Sequence, residues 1–458
     1  MIERFDIVRT TLVKMLEDKK YKTLREVLTT MNPSDIAAVF DQLKAGQCLR
    51  LFRLLPKELA AETFAEMETD AQEQLIRGFS DEDLRALIEE LAADDAADLA
   101  EEMPANVAIR ILQQASPQVR ETINRLLRYP EDSAGSIMTT EYVSLQPDMT
   151  VEESIRKIRQ QGVDKETIYT CYVTEKRVLV GLVTVKDLLL CGNDETLIRD
   201  IMLTNVISVT THTDREEASQ MLSHYNFLAI PVVDGENRMV GIVTFDDAMD
   251  VLEEAATEDM ELMGGMTPSE KTYLRSSARE LFKNRAPWLL LLMVSATFTG
   301  LIITAFEGAL AAQVALTAFI PMLMGTGGNS GSQSSVTVIR ALSLGELSLR
   351  DVWKVVWKEL KTAILCGAAL AVVCFGKIWL VDRMMMGNED ITLMVDAVVC
   401  LTLAVTVVIA KLVGCTLPLA AKALKLDPAV MASPFISTIV DALSLLVYFL
   451  FAQMLLGI

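Results

Sequence analysis

The chain has 458 residues and a formal net charge of −20, from 62 acidic and 42 basic side chains. From Pro287 onward there are ten of each, so the first 286 residues hold 52 acidic against 32 basic side chains. This division indicates an acidic, water-soluble part followed by a neutral, apolar part. An acidic surface repels nucleic acid and attracts cations. Seven cysteines without a CxxC pair and only two histidines argue against zinc or redox sites and for a reducing compartment.

The first 130 residues are predicted to form short helices. The segments NPSDIAAVFDQL, PKELAAETFAEM, DEDLRALIEEL and DDAADLAEEM each begin with an acidic residue or proline and carry apolar residues at helical spacing. The acidic starts Asp35, Glu58 and Asp83 lie about 24 residues apart, which predicts stacked helix pairs in a small all-α solenoid. The charged, amphipathic N-terminus does not have the pattern of a signal peptide.

Two copies of one α/β pattern follow over residues 131–262, at about 137–200 and 201–262. Ile-Met at 137–138 recurs at 201–202, and Gly-x-Val-Thr-x-x-Asp at 181–187 recurs at 241–247. The repeat resembles a tandem pair of CBS domains, small modules that sense ligands, although a cassette for dimerisation is the alternative. The Thr-x-x-Asp spacing is one by which such modules hold a nucleotide ribose. It makes four residues candidate nucleotide ligands: Thr184, Asp187, Thr244 and Asp247.

After Asp250 the pattern predicts a very acidic helix, a Gly-Gly break at 264–265 and a basic helix within a connecting segment at 263–286. The remainder predicts five membrane-spanning helices, because each apolar run approaches the roughly 20 residues that a bilayer needs. Their predicted bounds are roughly 287–306, 309–327, 360–381, 391–417 and 428–456. Basic residues cluster before the first span, between the second and third, and between the fourth and fifth. The positive-inside rule then predicts a cytoplasmic soluble part and a C-terminus on the opposite face.

Asp441 lies near the middle of the last span and is its only charged residue. A carboxylate at that depth costs about 2.5–3.5 kcal/mol on insertion scales, so it normally faces water, an ion or a partner charge. Ser433, Ser437 and Ser444 share its helical face. A protonated or hydrogen-bonded aspartic acid inside a bundle is the alternative to a cation site.

The second span ends in PMLMGTGGNSGSQSSVTVIRA, which is too polar to face lipid unless protein or water satisfies it. Asn329, Gln333 and Thr337 recur every four residues and present oxygens on one face. Gly325 and its neighbouring glycines permit close helix approach and allow carbonyls to turn inward, while packing by small residues is the alternative. One carboxylate with hydroxyl and carbonyl oxygens, and no histidine or thiolate, suits a hard cation such as Mg²⁺, Ca²⁺ or Mn²⁺.

Over essentially its full length the chain resembles the MgtE family of magnesium channels and transporters. The residues that carry the match are PMLMGTGGNSGSQ at 321–333, Asp427-Pro428, Asp441 and YPEDSAG at 129–135. The order of helical domain, CBS pair, connecting helix and five spans is also distinctive. The resemblance implies a homodimer in the lipid bilayer whose two membrane halves enclose one pore. It implies that Asp441 of both subunits binds a hydrated Mg²⁺, and that the second span lines the pore around Asn329.

The resemblance further implies that cytosolic Mg²⁺ closes the pore by binding between facing carboxylates of the soluble part, which repel one another without it. By position, the candidate ligands in the helical domain are Asp94, Asp95 and Asp98. Those across from them are Asp246, Asp247, Asp250, Glu254, Glu258 and Asp259, with backbone from Gly135 and with Asp427 at the inner pore mouth.

The prediction is therefore a multidomain membrane protein that acts as a passive, Mg²⁺-selective channel of the cell membrane, with no catalytic site. No Walker motif supports ATP-driven pumping, although ATP is a candidate ligand of the CBS pair. Two alternatives remain, a proton- or sodium-coupled transporter of divalent cations and a membrane regulator that senses nucleotides. Lys411, in the inner half of the fourth span, is expected to extend to the cytoplasmic face.

Overall fold

The computed structural model describes residues 2–269, 273, 276–388, 391–431 and 433–457. The chain divides into two compact units, Met1–Leu252 and Glu253–Ile458. The N-terminal unit contains a helical domain and two small β-sheets, and the C-terminal unit is helical. The predicted order of a helical domain, two α/β repeats and a helical C-terminal region with apolar spans is confirmed.

The helical domain begins with short helices whose ends are fixed by local chemistry. Asn32 accepts a hydrogen bond from the Ser34 amide at the start of α3, and Ser80 forms a reciprocal capping box with Asp83 at the start of α7. Helices two positions apart pack together, α3 on α5, α5 on α7 and α7 on α9, as the predicted stacking of helix pairs requires. The described helices are α1 (Ile2–Glu17), α2 (Tyr21–Leu28), α3 (Pro33–Phe40), α4 (Ala45–Phe52), α5 (Lys57–Ala65), α6 (Thr69–Gly78), α7 (Asp81–Ile88), α8 (Ala93–Glu102), α9 (Ala105–Gln114) and α10 (Pro117–Leu126).

The two α/β repeats each form a three-stranded sheet of the same topology. In both, the first strand is parallel to the second and the second is antiparallel to the third. The strands are β1 (Tyr142–Leu145), β2 (Thr167–Glu175), β3 (Val178–Thr184), β4 (Val209–Thr210), β5 (Ala229–Val233) and β6 (Met239–Thr244). The helices are α11 (Val151–Gln161), α12 (Val185–Leu190), α13 (Ile198–Ile201), α14 (Arg215–Tyr225) and α15 (Phe245–Met263), with a 3₁₀ turn at Gly162–Asp164.

The repeated Ile-Met and Gly motifs form a reciprocal contact between the two repeats. Met138 of the first repeat lies over Gly241 of the second, where a Cβ would stand 2.8 Å from the Met138 sulfur and 2.6 Å from the Thr139 carbonyl oxygen. Met202 of the second repeat lies over Gly181 of the first, where a Cβ would stand 2.6 Å from the Met202 sulfur. Glycine is required at both positions because the neighbouring chain approaches too closely for a side chain.

The C-terminal unit is organised around α20, which packs against α18, α19 and α21. An apolar cluster that includes Leu323, Val399 and Phe449 joins three of these helices. The helices are α16 (Ala278–Ala305), α17 (Glu307–Ala312), α18 (Ile320–Ser343), α19 (Val352–Lys377), α20 (Leu393–Ala423) and α21 (Ser433–Leu456). The 3₁₀ turns are Val314–Phe319, Leu349–Asp351 and Pro428–Met431, and a π-helical segment extends α19 over Ile378–Met385.

Four helical segments among the described residues are long and apolar enough to cross a membrane, and the predicted count of five stays a prediction. They are Ala278–Ala305, Leu349–Met385, Leu393–Ala423 and Pro428–Leu456. The predicted second span at 309–327 is wrong as a single helix, because it covers α17, a 3₁₀ turn and only the beginning of α18. The glycines do not break α18, since packing against α20 and α21 supports a helix that the intrinsic preference of glycine disfavours.

The predicted connecting helix is only partly observed. Residues 270–272 and 274–275 lie outside the described residues. From Ala278 the chain is helical and continues without a break into the first apolar segment, through Pro287. Ser277 and Glu280 form a capping box at its start, so Arg279, Lys283 and Arg285 belong to the same helix as the predicted span.

We expect Gly241→Ala to destabilise the protein by about 1–3 kcal/mol, because the new methyl group would overlap the Thr139 backbone. Gly235→Ala is the matched control, since a Cβ there meets nothing within 4 Å. Thermal unfolding of the full-length protein in detergent measures both. Equal melting temperatures for the two variants would contradict the reciprocal contact.

Candidate cation-binding sites

One face of α18 is buried, and its middle part, from Gly327 to Ser335, consists of small residues. A Cβ on Gly331 would lie 2.7 Å from an Ile436 methyl group, and one on Gly414 of α20 would overlap the carbonyl oxygen of Gly331. Gly327 is likewise enclosed, by side chains of α20 and α21. Packing by small residues therefore accounts for these glycines, and the expectation that their carbonyls turn inward is wrong because the helix is continuous.

The opposite face of α18 is polar and exposed. The structure places Asn329, Gln333 and Thr337 on it, as their spacing predicts, and Gly325 opens onto the same side with nothing within 4 Å of its Cβ position. The Thr337 hydroxyl donates to the Gln333 carbonyl oxygen at 2.8 Å, so the amide side chains are the available polar groups. Their role as cation ligands stays a prediction.

Asp441 is half-buried on α21, on the helix face that also carries Ser437. No residue in the described chain forms a hydrogen bond or an ion pair with its carboxylate, so the alternative of a hydrogen-bonded acid within the bundle has no partner there. Ser437 lies against Gly328 of α18, with its hydroxyl 3.2 Å from the Cβ position of that glycine. Asp441 thus projects from a helix that is packed directly on α18.

The other two serines predicted on the helical face of Asp441 are Ser444 and Ser433. Ser444 is buried and donates to the Val440 carbonyl oxygen at 2.6 Å, so its hydroxyl serves its own helix. The side chain of Ser433 lies outside the described residues.

Lys411 does not extend to an aqueous face, and that prediction is wrong. Its side chain is only 5% exposed, and its ammonium lies 3.4 Å from the Ser334 hydroxyl. Ser334 in turn donates to a Glu359 carboxylate oxygen at 2.6 Å. A hydroxyl thus links a cation on α20 to a carboxylate on α19. Ser334 lies on the buried face of α18. Its bonds to Lys411 and Glu359 therefore fix the direction in which the opposite, exposed face of α18 points.

A second acidic group lies where α15, α18 and the start of α21 meet in the C-terminal unit. Asp259 accepts a hydrogen bond from Ser343 at 2.8 Å. Burial raises the pKa of Asp259, and the nearby charge of Asp427 raises it further, against the lowering effect of the Ser343 bond. Asp427 itself is exposed and accepts from the Ala429 amide at 2.7 Å. The structure therefore brings Asp259 and Asp427 close together.

The largest acidic cluster lies in the N-terminal unit, between α8 and the start of α15. Burial raises the pKa of Asp94 well above its ordinary value, and the charges of Asp247 and Asp95 raise it further. One oxygen of the Asp94 carboxylate is buried without a hydrogen-bond partner among the described residues. Burial also raises the pKa of Asp95 to about 7, with Asp247 as the strongest charged neighbour.

Other members of this cluster behave in the same way. Burial raises the pKa of Asp98 to about 7, with Glu102 next in effect, and raises that of Asp247 to about 6 against a hydrogen bond from Thr244. Asp246 and Asp250 are exposed near the start of α15. Farther along this helix, Glu254 and Glu258 belong to the C-terminal unit and are exposed.

The sequence did not reveal three further members of the cluster. Glu166 lies near Asp246 and Asp247, and its pKa is raised by burial first and then by those charges. Glu66 lies near Asp95 and raises the pKa of that residue, and Glu102 does so for Asp98. Glu66 and Glu166 come from distant segments without a shared motif, so no sequence pattern could group them, whereas Glu102 lies four residues after Asp98 on α8 and helical spacing could have identified it.

Gly135 has a packing role that explains its residue type. A Cβ there would stand 2.7 Å from the Tyr129 ring and 2.8 Å from the Thr211 carbonyl oxygen. The Gly135 amide donates to that oxygen at 3.2 Å. Its predicted contribution to a cation site stays a prediction.

The Thr-x-x-Asp motifs of the CBS pair cap helices. The Asp187 carboxylate accepts hydrogen bonds from the Thr184 amide at 3.1 Å and from its hydroxyl at 2.5 Å, and the Asp187 amide donates back to that hydroxyl at the start of α12. Thr244 donates in the same way to Asp247 at the start of α15. Capping accounts for the spacing, and nucleotide binding by these residues stays a prediction.

Within the ranges that the structure describes, no three His, Cys, Asp or Glu side chains converge closely enough to hold a metal ion directly.

We expect the stability of the protein in EDTA to fall as pH rises from about 4 to 7. An acid whose pKa is raised by folding binds more protons in the folded state between its ordinary pKa of 3.8 and its folded pKa of about 7, so the penalty accumulates over that interval and is complete above it. Because one pKa unit is worth about 1.4 kcal/mol, the penalty from Asp95 alone is on the order of 4 kcal/mol. Melting curves across this range should show it, with a shallower slope for Asp95→Asn.

The exposed Glu58→Gln provides the control, which should keep the slope of the parent protein. A melting temperature that is independent of pH would contradict the assignment of raised pKa values to this cluster.

Models of three protein domains match the chain. A divalent cation transporter domain of the MgtE type matches residues 320–451, and an MgtE intracellular N domain matches residues 31–132. CBS domains match residues 134–192 and 198–254.

Two full-length relatives support the same relationship. The chain is 37% identical over 451 residues to the magnesium transporter MgtE of Thermus thermophilus, covering 97% of this chain and 98% of the relative. It is 33% identical over 450 residues to the magnesium transporter MgtE of Bacillus subtilis, covering 97% and 96%.

Solved structures resemble the soluble part. A crystal structure of the cytosolic domain of the Mg²⁺ channel MgtE in complex with ATP superposes with a TM-score of 0.51 at 37% identity, covering 53% of this chain and 99% of that one. The soluble part of a magnesium transporter gives a TM-score of 0.52 at 29% identity, with 55% and 99% coverage. The domain matches and the full-length similarity agree: the chain belongs to the MgtE family of magnesium transporters.

Proposed function

We propose that this protein is a Mg²⁺-selective channel that carries magnesium passively into the cell. The observation that carries the proposal is the half-buried Asp441, which has no partner in the described chain and lies on a helix packed against α18. A carboxylate in an apolar helix requires compensation by water, an ion or a countercharge. The relatives from Thermus thermophilus and Bacillus subtilis are named as magnesium transporters, which supports Mg²⁺ as the transported ion.

The exposed amides of α18 support a homodimer. In a single chain Asn329 and Gln333 would face lipid, which is unfavourable for side chains with unsatisfied donors and acceptors. Two copies related by a twofold axis would bring the same faces together around a polar path. Asp441 of each copy would then bind the hydrated ion through its water shell, and the serine and amide oxygens would accept or donate hydrogen bonds to those waters.

The soluble part would lie in the cytoplasm and regulate the pore. The Asp94, Asp95 and Asp247 carboxylates repel one another at neutral pH and are too buried to be well solvated. Divalent cations would bind between them and stabilise the compact arrangement. High internal Mg²⁺ would thereby close the channel, with Asp259 and Asp427 near the membrane helices as a second point of action.

The CBS pair is a second candidate binding site, for ATP. The support is that a solved cytosolic domain 37% identical to this chain contains ATP. Asp247 would then contribute to both ligands, since it caps α15 and also faces Asp94 and Asp95.

Asp441→Asn is expected to reduce Mg²⁺ uptake by at least tenfold, because an amide offers no negative charge to a hydrated cation. The assay is Mg²⁺ influx into proteoliposomes loaded with a fluorescent indicator. Asp396→Asn is the matched control, since Asp396 is a buried acid of α20 that accepts a hydrogen bond from Cys400 and an amide oxygen can replace it.

The same preparation separates the channel from its alternatives. A current whose reversal potential follows only the Mg²⁺ gradient supports the channel, and a reversal that shifts with pH or Na⁺ indicates a coupled transporter. Unchanged uptake by Asp441→Asn would refute the role of Asp441, and a parent protein that gives no more uptake than empty vesicles would favour a regulator that does not transport ions.

For gating, we expect millimolar Mg²⁺ on the cytoplasmic side to reduce the current of the parent protein. A double variant, Asp95→Asn with Asp247→Asn, should lose most of the Mg²⁺ dependence of its current, because the carboxylates that repel one another and bind Mg²⁺ have been removed. Patch-clamp recording from reconstituted protein measures both. Equal Mg²⁺ sensitivity in the two proteins would refute this gating mechanism without affecting the pore.

A further inference from the structure

The start of α19 has one buried and one exposed side. Val352, Val355 and Val356 pack in an apolar cluster with residues of α18 and α20. On the other side, Trp353 is 82% exposed and Trp357 is 61% exposed. Large aromatic side chains with this exposure are unusual in the absence of a covering surface.

Basic side chains occupy the same exposed side. Arg350, Lys354, Lys358 and Lys361 are all exposed and recur at helical spacing beside the two tryptophans. Lys354 forms an ion pair with Asp351 at 2.8 Å. Lys358 and Lys361 form no ion pair with any residue in the described chain. We refer to Trp353, Trp357 and these four basic residues as the basic-aromatic stripe.

The stripe continues along α19 as an apolar surface. Ile364, Leu365, Val372 and Val373 are between 55% and 73% exposed, within a segment long and apolar enough to span a membrane. An exposed apolar surface of that kind faces acyl chains. The stripe therefore lies where this surface reaches the headgroup layer, the depth at which tryptophan is enriched in membrane proteins.

The two residue types have complementary roles at that depth. The Lys361 ammonium lies 5.8 Å from the centre of the Trp357 ring, a distance at which a cation and an aromatic face attract each other. Four basic side chains next to a membrane helix form a cluster that attracts anionic lipids. Zwitterionic headgroups carry no net charge, so they do not complement the charge of these basic side chains.

We propose that the basic-aromatic stripe binds the headgroup phosphates of anionic phospholipids. The tryptophan rings lie at the level of the glycerol backbone, and Lys358 and Lys361 contact the phosphates. The assignment to the cytoplasmic leaflet rests on the proposed topology, whereas the preference for anionic over zwitterionic lipid does not. Lipid is favoured over a second protein because the stripe is continuous with the exposed apolar surface of a helix long enough to span a membrane.

The experiment uses the full-length protein with Trp288→Phe and Trp379→Phe, so that only Trp353 and Trp357 fluoresce. It is reconstituted in symmetric vesicles of phosphatidylcholine with a minor fraction of phosphatidylglycerol, and in turn one of the two lipids carries brominated chains. Bromine quenches tryptophan at contact distance, so the quenching reports the lipid next to the stripe. We expect brominated phosphatidylglycerol to quench more strongly than its bulk fraction predicts.

The double variant Lys358→Gln with Lys361→Gln should remove this local enrichment of phosphatidylglycerol. Each basic side chain contributes about fivefold to the enrichment at an anionic surface. Lys422→Gln with Lys425→Gln is the matched control, since both lysines are exposed at the end of α20 and away from the tryptophans in the chain. Quenching by each brominated lipid in proportion to its bulk fraction, or enrichment that survives the first double variant, would overturn the proposal.

Inorganic phosphate at constant ionic strength distinguishes the two sources of the phosphate group. If it displaces the brominated lipid, the stripe binds free phosphate and the proposal is wrong. Mg²⁺ uptake by the same vesicles is recorded separately. A protein that binds lipid but does not transport Mg²⁺ would refute the proposed function and leave the lipid site intact.

Discussion

The close approach of α18 to α20 and α21 is the constraint on which the C-terminal unit depends. Where α18 crosses α20, the backbones of Gly331 and Gly414 are in direct contact, and no side chain fits at either position. Gly327 is enclosed in the same way. A helix held this tightly on one side cannot rotate without overlap, so the amides on its other side keep one direction. The link between Lys411, Ser334 and Glu359 adds polar bonds that hold the same orientation.

The acidic cluster of the N-terminal unit opposes folding, whereas the close helix packing of the C-terminal unit stabilises it. Folding brings Asp94, Asp95 and Asp247 together although burial and mutual repulsion oppose their ionisation. The apolar core of the helical domain, which includes Ile36, Leu75 and Ile88, supplies the free energy that offsets this cost. Under the proposed gating, cations that bind between these carboxylates would stabilise the compact arrangement directly.

The sequence predicted features that depend on short-range patterns. Periodicity and capping residues identified the helical domain, and the recurrence of Ile-Met and Gly-x-Val-Thr-x-x-Asp identified the CBS pair. The four-residue spacing placed Asn329 and Gln333 on one helix face, where the structure has them. The bounds of the second span were wrong, because the glycine run looked like a helix end whereas packing on two neighbours maintains the helix. Lys411 was also misplaced, since its polar partners come from two other helices.

By itself, the sequence determined the order of domains, the division of charge between them and the polar face of α18, because each follows from spacing along one segment. Tertiary structure alone decided which face of α18 is buried and that Lys411 is enclosed. It also decided that Glu66 and Glu166 join the acidic cluster. These outcomes depend on contacts between residues far apart in the chain. Burial and electrostatic repulsion depend on the distances between side chains in the folded protein, and a local sequence pattern does not indicate those distances.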